Sequence, residues 1–210
     1  MRFRDLIGKA ARFVRQSHSD YVVAAFSPAS GVDTETLPEG AGELTEFSGE
    51  SIDLAFRSGR MNCAKAGLFR HLIASGSRSV VINDLKGIPA AWSILSINAP
   101  TGSFGGITVK PHPPFAYIHD TYVAPEFRGR GFGVLLNARM LALYGEGRTL
   151  FCLVRCNNLP ALRNWKKCGA EKLAIIVDSR SFHGDWSHKV TTLSSHPQLG
   201  DILGLIRLHR

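Results

Sequence analysis

The order of apolar and polar residues along this chain predicts alternating strands and helices. An apolar run over residues 115–123 is followed by a glycine-rich turn and then by a helical pattern over residues 134–144. Strands are also predicted at residues 21–26, 79–83, 88–97, 149–154, 171–178 and 187–193, and helical segments at residues 1–16, 52–75, 158–168 and, as a short helix or tail, 198–209. This mixture indicates an α/β fold built on a mixed (α+β) sheet.

Two stretches lack a periodic pattern. Residues 27–49 combine glycine, proline, serine, threonine and acidic side chains, which predicts a loop. Residues 99–114 are rich in glycine and proline and predict an irregular connection. By contrast, residues 84–87 separate two apolar runs with a turn-forming sequence, which predicts a hairpin.

Length and composition limit the class of protein. A chain of 210 residues, 44% of them hydrophobic, can bury one sizeable core, which favours one domain with an extension. No apolar run approaches the ~20 residues that cross a membrane, and residue 1 is not followed by a signal-peptide core, so we expect a cytoplasmic protein without a transmembrane segment. The four cysteines lack C-x-x-C spacing, so we expect reduced thiols and no metal site.

The charge of the chain is unevenly distributed. The net charge is +8, yet residues 17–56 contain no lysine or arginine and hold eight of the seventeen acids. The remainder is therefore strongly basic, which favours an anionic partner. Nucleic acid is disfavoured because zinc-ligand spacing, RNA-binding aromatic motifs and a helix-turn-helix are absent. The basic amphipathic segment 1–16 is expected to pack on its own domain, with membrane-surface contact as the weaker alternative.

The most informative segment is the turn before residues 134–144. Gly129, Gly131 and Gly133 occupy alternate positions, with Arg128 and Arg130 before the first two, between a predicted strand and a predicted helix. Glycine lets the backbone approach a ligand, and a helix N-terminus favours an anion, so the segment predicts a phosphate-binding loop. A Walker loop is excluded because Val134, not lysine, follows the glycines, and the third glycine of a dinucleotide fingerprint is also missing.

A second motif follows the strand predicted at residues 149–154. Asn158 is a candidate helix N-cap, Pro160 falls in the first turn, and Gly169 stops the helix. Between them, Ala161 and Trp165 lie at helical spacing.

Together these motifs resemble those of the GNAT acetyltransferase superfamily. The pattern Arg-x-x-Gly-x-Gly fits residues 128–133, and Asn-x-x-Ala-x-x-x-Tyr-x-x-x-Gly fits residues 158–169 with Trp165 in the Tyr position. The resemblance covers roughly residues 78–195. It implies a GNAT fold with an N-terminal helical and loop extension, and acetyl-CoA bound where two strands splay apart. The cofactor-binding residues that it implies are Tyr122, Val123, Arg128, Gly129, Arg130, Gly131, Phe132, Gly133 and Asn158.

The candidate catalytic residues lie in the strand before the loop. His119 and Asp120 resemble the Glu-Asp pair of polyamine and aminoglycoside acetyltransferases, with His119 in place of Glu. Strand alternation predicts His119 and Thr121 on one face, and Asp120 and Tyr122 on the other. Imidazole titrates near neutrality, so His119 is a candidate general base, and a histidine bonded to a carbonyl of a neighbouring strand is the alternative. Asp120 is a candidate anchor for a cationic acceptor or a loop, or a proton acceptor.

Trp165 departs from the family pattern. The family's Tyr hydroxyl protonates the leaving sulfur, whereas an indole N–H does not give up its proton at neutral pH. The chain is therefore either an enzyme without that acid or an acyl-CoA-binding module. An acyl-cysteine on Cys152 or Cys156 is conceivable, but small packing residues are the preferred reading.

The resemblance implies an acetyl-CoA-dependent N-acetyltransferase that acts directly on a primary amine of a small molecule such as an amino sugar, polyamine or aminoglycoside. The alternatives are a non-catalytic acyl-CoA-binding module and a peptide or protein N-acetyltransferase. We expect residues 51–195 to form the acetyltransferase domain. Residues 1–50 are expected to add a helix, a strand and an acidic loop, and residues 196–210 a helix or tail. The sequence does not indicate an oligomeric state.

Overall fold

A computed structural model describes residues 18–26, 34–98, 107–180 and 186–208. The strands of this part of the chain are β1 (His18–Phe26), β2 (Ala41–Thr45), β3 (Arg78–Asp84), β4 (Pro89–Ser96), β5 (Ile107–Val109), β6 (Phe115–Val123), β7 (Thr149–Arg155), β8 (Ala170–Arg180), β9 (Trp186–Thr192) and β10 (Ile206–Leu208). The α-helices are α1 (Gly49–Arg57), α2 (Cys63–Ala74), α3 (Phe132–Tyr144), α4 (Leu159–Lys167) and α5 (Leu199–Gly204), and Pro125–Phe127 form a 3-10 turn. The helix predicted over residues 1–16 lies outside the described residues.

Eight strands form one mixed sheet in the order β2-β3-β4-β6-β7-β1-β8-β9, while β5 and β10 form a separate pair. Strands β6 and β7 pair in parallel, and every other pairing in the large sheet is antiparallel. Strand β1 lies inside the sheet, hydrogen-bonded to β7 on one side and β8 on the other. The expected α/β class with a mixed sheet is confirmed.

Apolar side chains cover both faces of the sheet. On one face α3 and α4 pack over the central strands, with Leu136, Met140 and Trp165 in that cluster. On the other face α1 and α2 pack near β3 and β4, and α5 packs with β5 and β10 near β1 and β8. Alternate residues of β1, such as Val22 and Val23, enter opposite clusters, as strand alternation requires.

Four sequence predictions need correction or refinement. Residues 27–49 contain strand β2, which extends the sheet edge by pairing with β3. Residues 99–114 contain β5, and the C-terminal helix ends at Gly204, beyond which β10 pairs with β5. These strands are three to five residues long and join segments far apart in sequence, so no local periodicity marks them. The helical region 52–75 is two helices separated by a turn at Gly59, whose φ is +76°.

Candidate active site

The site is built where β6 and β7 diverge. Their parallel pairing begins at Phe115 and Thr149 and ends at Ile118 and Cys152. Beyond that point β6 stays with β4 and β7 stays with β1, so the two strands open as a fork. A cavity of about 270 Å³ fills the fork. It is lined by Tyr21, Lys65, Tyr117, Ile118, His119, Asp120, Thr121, Tyr122, Cys152, Leu153, Val154, Arg155, Asn158, Ala161 and Trp165.

The glycine-rich loop lies between β6 and α3. Gly129 and Gly131 have φ values of +79° and +91°, and a Cβ on either would meet no atom within 4 Å, so the space before them is open. Gly131 is the N-cap of α3 and has no side chain to accept the free N–H groups of the first turn. The side chains of Arg128 and Arg130 are exposed beside these groups. The arrangement suits an anion such as a pyrophosphate.

Two of the predicted loop residues have packing roles. A Cβ on Gly133 would lie 2.5 Å from Nδ2 of Asn164, so this glycine allows α3 to approach α4. The Phe132 side chain is buried, with its ring centroid 5.1 Å from that of Phe127. Only the backbone of these two residues is available to a ligand.

The end of β6 presents backbone groups to the fork. The N–H of Ala124 donates to the carbonyl of Ala90 at 2.8 Å, on the β4 side. Because backbone groups alternate in direction along a strand, those of Val123 face the fork. The Val123 carbonyl accepts a hydrogen bond from Nε of Arg128 at 3.0 Å. The Tyr122 ring stacks on Trp92 at 4.4 Å, which fixes the strand end against β4.

A bulge at Asp120 overturns the predicted alternation. Asp120 has a φ of +51°, and the register with β4 shifts between the pairs Trp92–Tyr122 and Ile94–His119. Trp92 and Ile94 are two residues apart on one face, so their partners His119 and Tyr122 share that face. Residues 120 and 121 together oppose Ser93, and this extra residue turns the Asp120 side chain into the cavity.

Asp120 is held from two sides. Its Oδ1 pairs with Nζ of Lys65 from α2, and its Oδ2 lies 3.1 Å from Nδ1 of His119. Burial favours a higher pKa for Asp120, but the hydrogen bond from His119 and the Lys65 ammonium outweigh it and lower the pKa to about 2. The group is therefore a carboxylate at all physiological pH values.

His119 has a partner at each ring nitrogen. Since a carboxylate only accepts, Nδ1 carries the proton that is donated to Asp120. The other nitrogen, Nε2, is hydrogen-bonded to the hydroxyl of Ser96 at 2.9 Å, and Ser96 contacts Ser77 at 3.0 Å. Ser96 is fully buried, so Nε2 points into the core, while His119 lines the cavity beside Asp120. His119 thus bonds to the neighbouring strand β4 through the Ser96 side chain and not through a strand carbonyl, which the alternative had named.

The second motif lies on the opposite side of the fork. Asn158 caps α4, its Oδ1 accepting from the N–H of Ala161 at 3.3 Å, as the sequence predicts. Gly169 has a φ of +80° just after the helix, which confirms it as the stop. Trp165 is only 4% exposed, packs on Phe26 of β1 at 4.5 Å and borders the cavity.

Comparison with known proteins decides the family. Residues 73–170, just under half of the chain, match the model of the acetyltransferase (GNAT) family. These residues belong to the GNAT acetyltransferase family. The matched segment contains β6, the glycine-rich loop, α3, β7 and α4, so the fork of this GNAT domain lies within it.

Related proteins and structures support the GNAT fold. An uncharacterized protein of Mycobacterium leprae (strain TN) is 35% identical over 74 residues, which are 34% of this chain and 20% of that protein. A GCN5-related N-acetyltransferase from Sphaerobacter thermophilus superposes with a TM-score of 0.52 and 14% identity over 89% of this chain. An acetyltransferase of the GNAT family from Colwellia psychrerythraea superposes with a TM-score of 0.53 and 13% identity over 80% of this chain. The matches span 57% and 59% of these two proteins, so the likeness concerns the fold alone.

The cysteines of the GNAT domain beside the fork are protonated packing residues. Burial raises the pKa of the Cys152 thiol, which lies in the core under α3 and α4. Burial and then Asp20 raise the pKa of Cys156, which packs against the same core. A thiol with a raised pKa is a poor nucleophile, so the geometry supports packing rather than an acyl-cysteine.

Sequence reasoning missed Lys65 and Ser96 as site residues. Lys65 lies 55 positions before Asp120, in a helix outside both motifs, and Ser96 lies 23 positions before His119. The only signals in the sequence are that Lys65 is a charged residue in the first turn of α2 and that Ser96 ends the apolar strand β4. Within the described residues, no helix is long and apolar enough to cross a membrane, and no group of three or more His, Cys, Asp or Glu could hold a metal ion.

Proposed function

We propose that this chain transfers the acetyl group of acetyl-CoA directly to the primary amine of a small molecule, with both substrates bound at once. The observation that carries the proposal is the fork between β6 and β7. Its cavity is lined by the ionised carboxylate of Asp120, and the glycine-rich loop follows β6, one of the two strands that bound the cavity. A phosphorylated acyl donor and a cationic acceptor would thus meet at the opening of the two strands.

The donor side consists of the loop and the strand end. The free N–H groups at the start of α3, with Arg128 and Arg130, would bind the pyrophosphate of coenzyme A. The backbone of Val123 would hold the pantetheine arm and polarise the thioester carbonyl, and Asn158 would contact the arm from the α4 side, whereas the backbone of Tyr122 faces β4 by the same alternation. Donors fixed in advance by a strand and a helix need no reorganisation when charge develops on the carbonyl oxygen.

Asp120 and His119 form the acceptor side. Asp120 would receive the substrate ammonium, and His119 would hold Asp120 through its Nδ1–H. The amine must lose a proton before its nitrogen attacks the thioester carbonyl. We propose that a water beside Asp120 carries the proton to solvent while the new C–N bond forms and the C–S bond breaks, since the lowered pKa makes Asp120 a weak base and Nδ1 of His119 already carries a proton.

The alternative of a non-catalytic acyl-CoA-binding module rests on Trp165. The indole cannot protonate the departing sulfur, so the coenzyme A thiolate must leave as such. Thiols have an ordinary pKa of only about 8.5, which makes the thiolate a tolerable leaving group. An acyl-CoA-binding module that does not catalyse transfer is the second candidate, because the same substitution removes a catalytic group while leaving the binding loop intact.

A coenzyme A release assay tests the proposal. The protein is mixed with acetyl-CoA and a panel of amines that includes amino sugars, diamines, amino acids and a peptide N-terminus. Free thiol and acetylated product are both measured, and calorimetry follows acetyl-CoA binding. We expect saturable binding and turnover with a small amine. Binding without turnover on any amine would identify the non-catalytic module, turnover on the peptide alone would identify a peptide acetyltransferase, and absence of binding would refute the site.

A further inference from the structure

We propose that Lys65 and Asp120 together select an acceptor that carries an acidic group near its primary amine. The inference rests on the proposed function, since both residues line the acceptor side of the same cavity. It names the class of amine, which the family likeness does not.

Lys65 is fixed in place at the start of α2. Its backbone N–H donates to the Oδ1 of Asn62, the N-cap of the helix, at 2.8 Å. Its ammonium pairs with Asp120 and lies 5.5 Å from the ring centroid of Phe69. The Lys65 side chain is 36% exposed and that of Asp120 is 15% exposed, so both still reach the cavity. The ammonium therefore occupies the place beside Asp120 that a substrate ammonium would take.

The charges of the cavity disfavour a polycation. Among the described residues that line it, Asp120 is the only acid, whereas Lys65 and Arg155 are cations. A diamine or polyamine would have to displace Lys65 from Asp120 and would leave its other ammonium groups without a carboxylate. Like charges brought together without a counter-ion reduce affinity, so acceptors with several cationic groups are selected against.

An amine with an acidic group avoids this conflict. Its ammonium can pair with the Asp120 carboxylate while its own carboxylate pairs with the displaced Lys65 ammonium. One internal ion pair is thereby exchanged for two pairs with the substrate, and no charge is left without a partner. For this exchange the Lys65 ammonium moves only from the carboxylate of Asp120 to the neighbouring carboxylate of the substrate.

Three amines of four carbons separate the effects of charge. 4-Aminobutanoate carries a carboxylate at its far end, 1-aminobutane a methyl group, and 1,4-diaminobutane a second ammonium. Each is titrated by NMR into the full chain loaded with coenzyme A. We expect 4-aminobutanoate to bind at least ten-fold more tightly than 1-aminobutane, and the diamine to bind more weakly than either. Equal affinities of the acid and the methyl compound would overturn the inference.

Lys65 variants assign the preference to this residue. In Lys65→Met the ratio of the first two affinities should fall to about one, whereas Lys65→Arg, which keeps the charge, should retain it. Lys86→Met removes an exposed lysine from the β3–β4 turn and should leave the ratio unchanged. A preference that persists in folded Lys65→Met would overturn the role of Lys65. Should Lys65→Met fail to fold, Lys65→Glu should reverse the preference towards the diamine, and failure to reverse it would count equally against the inference.

Turnover on the same amines separates this inference from the proposed function. A binding preference that depends on Lys65, without coenzyme A release from any amine, would support the selection rule and refute acetyl transfer. Turnover without a binding preference would support acetyl transfer and refute the selection rule. Turnover that follows the binding order, with kcat/KM highest for 4-aminobutanoate, would support both.

Discussion

At the scale of single residues, the conformation of Asp120 determines how the cavity is charged. Its positive φ is a conformation that aspartate tolerates better than most residues, and it places the carboxylate between Lys65 and His119. The motif resemblance could identify Asp120 as a site residue, but strand alternation could not give its direction, because a bulge changes the faces of all residues after it. The cost of the strained backbone is offset by the two contacts that hold the side chain.

The role of Trp165 can be tested with a pair of variants that differ by one oxygen. Trp165→Tyr and Trp165→Phe remove the same buried ring system, so both should lose stability by about 1–3 kcal/mol relative to the native chain, as partial cavities do. If the missing hydroxyl limits thiolate departure, Trp165→Tyr should exceed Trp165→Phe in kcat, with the largest gain below pH 8. The measurement is kcat against pH for both variants.

Identical pH profiles of the two variants would show that no proton is needed at the sulfur. A loss of turnover in both variants, with the fold and acetyl-CoA binding intact, would instead show that the indole shapes the site. Thermal unfolding of each variant is the control, because Trp165 packs on Phe26 and connects α4 with β1.

At the scale of elements, helix α3 and the loop before it can be tested by one added methyl group. Gly131→Ala should reduce acetyl-CoA affinity at least ten-fold, because its Cβ enters the open space where the backbone would approach the pyrophosphate. A positive φ strains any substitution at this position, so a matched control is needed. Gly76 has a φ of +86°, also faces open space, and lies in the turn between α2 and β3.

Gly76→Ala should lose as much stability as Gly131→Ala while binding acetyl-CoA normally. Calorimetry on both variants, with thermal unfolding measured in parallel, separates strain from ligand contact. Equal affinities in the two folded variants would contradict the assignment of the loop as the cofactor site.

The elements that the sequence predicted well carry strong local signals. Strand β6 was predicted at its observed bounds because nine residues of strand character end in a proline turn, and α4 was predicted from its cap and its glycine stop. Strand β2 was missed because its five residues are partly polar and are ordered by pairing with β3 alone. The ion pair of Lys65 with Asp120 was missed for the same reason, since a contact between distant segments leaves no periodicity.

At the scale of the whole molecule, the sheet is continuous only because β1 joins its two halves. One half of the sheet consists of β2, β3, β4, β6 and β7, and the other half consists of β8 and β9. Strand β1 is hydrogen-bonded to β7 of the first half and to β8 of the second. It also brings Tyr21 to the cavity wall and Phe26 to Trp165. The division of the chain at residues 50 and 195 stays a prediction, but the first described strand contributes to the fork directly.

Hydrogen exchange measures whether β1 is as stable as this position implies. Its residues 21–26 are all buried, and the strand has a bonded neighbour on each side, whereas β9 has one neighbour and a mostly exposed surface. Amides open with the free energy of the cooperative unit to which they belong, so central strands should exchange slowest. We therefore expect residues 21–26 to exchange at about the rate of residues 150–154 of β7, and at least ten-fold more slowly than β9. If residues 21–26 exchanged as fast as β9 while β7 stayed protected, β1 would be an attached segment that opens independently, and the fork would have to be stable without it.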